Sequence, residues 1–215
     1  MEILYEDNHV IVVHKKAGMP MEPGKPGEPN LLDEVKQYLK KKYKKPGKVF
    51  LGIVQRLDQP VEGVVLLAKT SKGAARLSAQ VRERKIRKTY LAIVEGKVSP
   101  LQGELRHFLL KDEEKKKAYI SKEGDEAVLR YKVLASNDIY TKIEIELVTG
   151  RFHQIRAQMA AIGHPIAGDG KYGAKASFKD GIMLCAIDLI FQTATTGEIT
   201  HCHIKEPERF KTLIS

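Results

Sequence analysis

Short β-branched runs set the pattern of this chain, with helical spacing appearing in only about three places. Residues 10–13 read as a strand, and a loop rich in glycine and proline follows over 18–29. Leu32, Val35 and Leu39 then recur at helical spacing, with Asp33 and Glu34 near the start of the segment. This helix runs into Lys40-Lys41-Lys42-Tyr43-Lys44-Lys45 and stops at Pro46-Gly47. Residues 50–54 and 63–69 predict two apolar strands, separated by the polar stretch 55–62. Ser71 is placed to cap a second helix carrying Ala74, Leu77 and Val81 on one face and ending in the basic run 82–88.

A further strand is expected over 90–95, closed by Gly96, and the middle of the chain alternates strand-like runs with charged turns, clearest over 127–133 and 139–148. A third helix follows Thr149-Gly150, with Ile155, Met159 and Ile162 on its buried side and Gly163 as its stop. Short strands return around 183–191 and 198–204. Many strands and few helices, without βαβ alternation, predict an α+β fold built on a largely antiparallel sheet. No repeat or linker is visible, so the expectation is a single domain over 1–215.

Composition adds a partner to this picture. Lys and Arg number 37 against 27 Asp and Glu, a net charge of +10, which favours a polyanion because each cation near a phosphate releases condensed counterions. The lysine run at 40–45 has two readings: a solvated helix end favoured by the macrodipole, or a contact to an RNA backbone. Only Cys185 and Cys202 occur, which fits a reducing compartment. The start of the chain lacks the features of a signal peptide, and no stretch approaches the roughly 18 apolar residues of a membrane span. A cytoplasmic protein is expected.

Asp58 is the first candidate for chemistry, although an aspartate in a polar loop is by itself most simply a turn residue. Tyr90 alone is a strand aromatic, and Arg156 alone is the solvent face of a helix. Their company changes the reading. Arg56-Leu57-Asp58, Lys88-Thr89-Tyr90-Leu91-Ala92-Ile93-Val94-Glu95-Gly96 and Thr149-Gly150-Arg151-Phe152-His153-Gln154-Ile155-Arg156 occur in that order. With them stand Asp7-Asn8-His9-Val10-Ile11-Val12-Val13, followed by Lys15 and Gly18, and His164-Pro165-Ile166-Ala167-Gly168-Asp169, followed by Lys171-Tyr172-Gly173.

As an ordered set these segments resemble the signature blocks of the RluA-type pseudouridine synthases, from about Tyr5 to Glu198. The resemblance implies a large, mixed, mostly antiparallel bent sheet flanked by helices, with a central basic cleft. It also implies a catalytic domain without the small RNA-binding domain that precedes it in many relatives. The activity implied is isomerisation of a specific uridine in ribosomal or transfer RNA, with no metal or redox cofactor, no obligatory protein partner, and a monomer as the default state.

Asp58 then matches the essential aspartate, Tyr90 the active-site tyrosine and Arg156 the basic partner of the aspartate. Breaking a glycosidic bond and rejoining the sugar at carbon 5 needs an ionised carboxylate beside the ribose, as nucleophile or as base. An arginine at hydrogen-bond distance keeps a carboxylate charged, and a tyrosine ring gives an extruded base a stacking face. Gln55, Arg56, Arg151, His153 and Gln154 are expected to bind the substrate nucleotide. The backbone is assigned to Lys40, Lys41, Lys42, Lys44 and Lys45, and to Arg84, Lys85, Arg87 and Lys88.

The chain departs from the family pattern at several points. Gln55 stands for a histidine, Glu62 for a small Ser or Thr, Lys16 for proline, Phe152 for Thr and Gln192-Thr193 for His-Pro. Glu62 places a second carboxylate near Asp58, unless it faces Arg56 or solvent. These departures leave room for a second reading, an RNA-binding scaffold that has lost turnover. His201-Cys202-His203 matches no standard zinc spacing and is read as ordinary strand, and Gly168-Asp169-Gly170-Lys171 as a turn.

Overall fold

The computed structural model describes residues 1–214, which fall into two compact units. The first comprises Met1–Ile86 and Asp188–Ile204, the second Arg87–Ile187 and Lys205–Ser215.

In the first unit, β1 (Glu2–Glu6), β2 (Val10–Lys15) and β4 (Glu62–Ala68) pair antiparallel in that order. Every residue of β4 is buried, as are the valines and isoleucine of β2, so both read as unbroken apolar runs rather than alternating ones. Gly52–Ile53 forms β3, a strand of only two residues against β4, where the apolar run had predicted five. Phe50 at its edge is exposed. Helix α1 (Leu31–Lys42) buries Leu31, Leu32, Val35 and Leu39, and is capped by Asn30, whose side chain accepts from the Asp33 amide.

Helix α2 (Ser71–Arg82) corrects the sequence reading in two respects. Its cap is Thr70, one residue earlier than expected, with the hydroxyl accepting from the Gly73 amide. Its buried face is Gly73, Leu77 and Gln80, while Val81 is exposed. The choice of face follows from close approach: a Cβ on Gly73 would lie 2.7 Å from the His9 carbonyl oxygen. Gln80 joins the far segment reciprocally, its amide nitrogen donating to the Gln192 carbonyl and its oxygen accepting from the Gln192 amide. Arg76 donates to the Ala194 carbonyl alongside.

In the second unit, β5 (Arg87–Glu95), β9 (Tyr140–Leu147), β8 (Asp125–Ser136), β6 (Gln102–Asp112) and β7 (Lys117–Ile120) lie in that order, all antiparallel. Strand β5 begins at Arg87, so the basic run 82–88 is divided between the end of α2, a turn and a strand. Arg84 within that turn has φ +55°. Helix α3 (Gln154–Ala161) is buried along Gln154, Ile155, Arg156, Ala157, Gln158 and Met159, so the solvent-facing alternative for Arg156 is excluded. Strand β10 (Leu184–Gln192) leaves the second unit and enters the first, where it pairs with β11 (Ile199–His203). The short helix α4 (Glu208–Lys211) completes the element order. Among the described residues no helix is long and apolar enough to cross a membrane.

Candidate active site

Asp58 sits half-buried in the loop between β3 and β4, anchored by the buried Leu57 before it and by a turn in which the Val61 amide donates to the Asp58 carbonyl at 3.0 Å. A second loop, following β2, braces the first. The Gly18 amide donates to the Gln59 carbonyl at 2.9 Å, and the Gln59 side chain returns a bond to the Gly18 carbonyl at 3.1 Å. Gly18 has φ +81°, the left-handed turn that this exchange requires.

Lys15, at the end of β2, is fully buried where the two loops meet. Its Nζ donates to the carbonyls of Met19 at 2.8 Å, Gln59 at 3.1 Å and Lys16 at 3.2 Å. Burial pushes its ammonium down to about 8, against the pull of the Asp58 and Glu62 carboxylates. Sequence reasoning placed Lys15 in a family block but gave it no role. Its signal was a lysine ending an otherwise apolar strand.

Glu62 is buried, which overturns the solvent alternative. Its Oε1 lies 2.8 Å from His14 Nε2 and 3.9 Å from Lys16 Nζ, and His14 Nδ1 meets Glu2 at 3.0 Å. Two departures from the family pattern, Glu62 and Lys16, thus stand beside each other. Gln55 donates to the Val64 carbonyl at 3.0 Å, and the exposed Arg56 pairs with Glu22 at 2.7 Å. Gln55, Arg56 and Asp58 therefore share one loop of the first unit.

The remaining candidates belong to the second unit. Tyr90 lies in β5 and is buried. Arg156 is held bidentate by Asp169, Nε to Oδ2 at 2.6 Å and a terminal nitrogen to Oδ1 at 2.9 Å, and lies 5.1 Å from the Tyr172 ring centre. The Tyr172 hydroxyl accepts from the Ala118 amide and meets His153 Nδ1 at 2.9 Å. His153 takes φ +51° at the start of α3, and the Phe152 ring stacks on it at 3.9 Å. Asp169 and Tyr172 hold this arrangement together; their segment falls in a family block and reads locally as a turn, but sequence reasoning gave neither residue a role.

Gln154 is buried and spends its amide inside the unit, accepting from the Thr149 hydroxyl and the Arg151 amide and donating to the Val128 carbonyl. Arg151 donates to the Glu126 carbonyl and pairs with Asp125 at 3.3 Å. Among the backbone candidates, Lys42 pairs with Glu6 and Lys85 with Glu83, while Lys40, Lys41, Lys44 and Arg84 are exposed. Lys45 is half-buried, its Nζ 6.0 Å from the Tyr43 ring centre. His201 and His203 both face Asp188, and among the described residues no cluster of metal-ligating side chains forms.

A family model described as RNA pseudouridylate synthase matches residues 9–161, which span the Asp58 loop, Tyr90 and Arg156. The chain belongs to that family. Relatives of this synthase include an uncharacterized RNA pseudouridine synthase of Aquifex aeolicus, 35% identical over all of this chain and 72% of its own length. YhcT of Bacillus subtilis, also an uncharacterized RNA pseudouridine synthase, is 35% identical over 80% of this chain and 58% of its own. Ribosomal large subunit pseudouridine synthase D of Zymomonas mobilis is 36% identical over 80% and 56% respectively. The fold of this synthase is that of human RNA pseudouridylate synthase domain containing 4, with a TM-score of 0.81 at 23% identity, covering 98% of this chain and 90% of that one.

Proposed function

We propose that this chain isomerises a specific uridine of ribosomal or transfer RNA to pseudouridine, with Asp58 as its catalytic carboxylate. The observation that carries the reading is the braced loop: an aspartate at the family's position, fixed by two loops that exchange hydrogen bonds above a buried lysine. A carboxylate held in this way is pre-organised for a sugar carbon brought to it. In the reaction the N1–C1′ bond breaks and a C5–C1′ bond forms. The carbon-5 proton leaves, and N1 takes up a proton. Asp58 acts as nucleophile on the ribose or as base. Tyr90 offers its ring to the extruded base, and Arg156 is the residue to which the family resemblance assigns the positive charge. Arg56 exchanges Glu22 for RNA, and the basic residues of the α1 end and of 84–87 hold the backbone, leaving sequence choice to the bases. Of the two RNA classes, ribosomal RNA is favoured by the Zymomonas relative, a ribosomal large subunit pseudouridine synthase.

The test is tritium release from carbon-5-labelled uridine in unmodified ribosomal and transfer RNA transcripts. Wild type should release tritium from one of them, and Asp58→Ala should release none while binding that RNA within a few-fold of wild type. Turnover retained in the variant would overturn the assignment. Tight binding with no release by wild type would favour the scaffold reading.

A further inference from the structure

Buried lysines in this protein are matched. Lys15 has its three carbonyls, Lys69 has Glu6 at 2.6 Å and the Asp7 carbonyl, and Lys142 has Glu206 at 2.8 Å. Lys88, which is less buried than these, has no such match. It is half-buried on β5, burial pushes its ammonium below the ordinary lysine range, and no neighbouring charge acts on it in return. Among the described residues it has neither a carboxylate nor a carbonyl partner. An ammonium stripped of part of its water and given nothing in exchange is costly, and the ordinary remedy is a counterion.

The surroundings show where that counterion would come from. Lys88 and Tyr90 are two apart on one strand, so their side chains leave the same face about 7 Å apart. The Lys88 Nζ lies over the bare backbone of Gly150, where an added Cβ would stand 3.3 Å from it. That glycine opens the turn leading through Arg151 to α3 and Arg156. The ammonium thus lies against the Gly150 backbone, on the same strand face as the tyrosine assigned to the extruded base.

We propose that Lys88 is a dedicated binding site for one backbone phosphate of the substrate RNA, that of the extruded nucleotide or its neighbour. This inference rests on the reading of Tyr90 as the platform for the base. It separates Lys88 from the exposed lysines, which act through the general field of the surface. Lys88 accepts a desolvation cost in the free protein and recovers it when the phosphate arrives, so affinity is gained at the expense of stability.

The experiment compares Lys88→Met and Lys88→Arg in an Asp58→Ala background, so that binding is read without turnover. Affinity for an unmodified large-subunit ribosomal RNA transcript is measured against potassium chloride, and the melting midpoint of each free protein is recorded with and without inorganic phosphate. Lys88→Met should bind about ten- to a hundredfold more weakly, with a salt slope shallower by about 0.7 to 0.9. Its free-protein midpoint should be unchanged or higher, which a merely structural lysine would not give. Lys88→Arg should keep the slope.

An unchanged slope in Lys88→Met overturns the proposal, and so does a variant that melts several degrees lower or fails to fold. Stabilisation of wild type by inorganic phosphate with no change of RNA slope in the variant would assign the site to a free anion, and would overturn it equally. Tritium release by wild type tests the reaction separately. A shallower slope in Lys88→Met together with an inactive wild type would keep the phosphate site and discard the catalytic reading.

Discussion

Lys15 shows at the scale of a single residue how a buried charge can serve a neighbouring loop. Its ammonium titrates near 8 in the folded protein and near 10.5 when free, because burial outweighs the attraction of Asp58 and Glu62. Between those values the unfolded chain binds more protons than the folded one, so this residue's contribution to stability rises with pH across that window. Lys15→Met should remove that part of the pH dependence, as read from urea midpoints between about pH 8 and 10.5, and should lower tritium release by loosening the Asp58 loop. An identical slope in the two proteins would contradict the burial argument. Residues of this kind were poorly legible in the sequence. Asp58, Tyr90 and Arg156 stood out because a role comes with their place in the ordered blocks, whereas Asp169 and Lys15 fall in the same set of blocks but owe their importance to what lies opposite them in space. Glu62 makes the same point: its residue type announced a second carboxylate, but only His14 across the strand pair explains how it is accommodated.

Glu6 gathers an entire element. Its carboxylate accepts from Lys69 at 2.6 Å, Lys42 and Tyr43 at 2.7 Å and Tyr38 at 3.0 Å, fastening the end of α1 to β1 and to the residue that follows β4. Burial alone would raise its titration, but the four donors together lower it to about 2. The stabilisation is therefore complete above about pH 4.5 and is lost as pH falls toward 2. Glu6→Gln should cost about 3 kcal/mol at neutral pH by urea denaturation, and should flatten the acid limb. A variant as stable as wild type would show that α1 is held by its apolar face alone. The element itself was readable from Leu32, Val35 and Leu39, and its position was not. The strands were likewise legible as β-branched runs, while their ends were not: β3 shrank and β5 grew, because pairing partners decide length. The Thr70 cap and the Gly73 face depend on how closely α2 approaches His9, which periodicity does not encode.

For the molecule as a whole, the net charge of +10 was the most legible quantity and also the least specific. The α1 end contributes to it unequally, since Lys42 is committed to Glu6. Replacing Lys40, Lys41, Lys44 and Lys45 with glutamine should make the salt dependence of RNA binding shallower by about 0.7 to 0.9 for each phosphate left without its lysine, as read from a titration series in potassium chloride. An unchanged slope would remove this helix end from the footprint. The division into two units was not legible at all. No glycine- or proline-rich linker marks Ile86–Arg87, and the second boundary falls inside strand β10.

That interleaving has a temporal side. The first unit is begun by residues 1–86 and completed only by 188–204, so about a hundred residues must be translated before its own last strands exist. At roughly 5 to 20 residues per second this is an interval of about 5 to 20 s, during which Gln80 and Arg76 on α2 have yet to meet Gln192 and Ala194. The second unit can assemble β5 to β9 in the meantime, from hairpins that leave the ribosome in order. The strands and helices of residues 1–86 therefore wait for partners that are made only after most of the second unit.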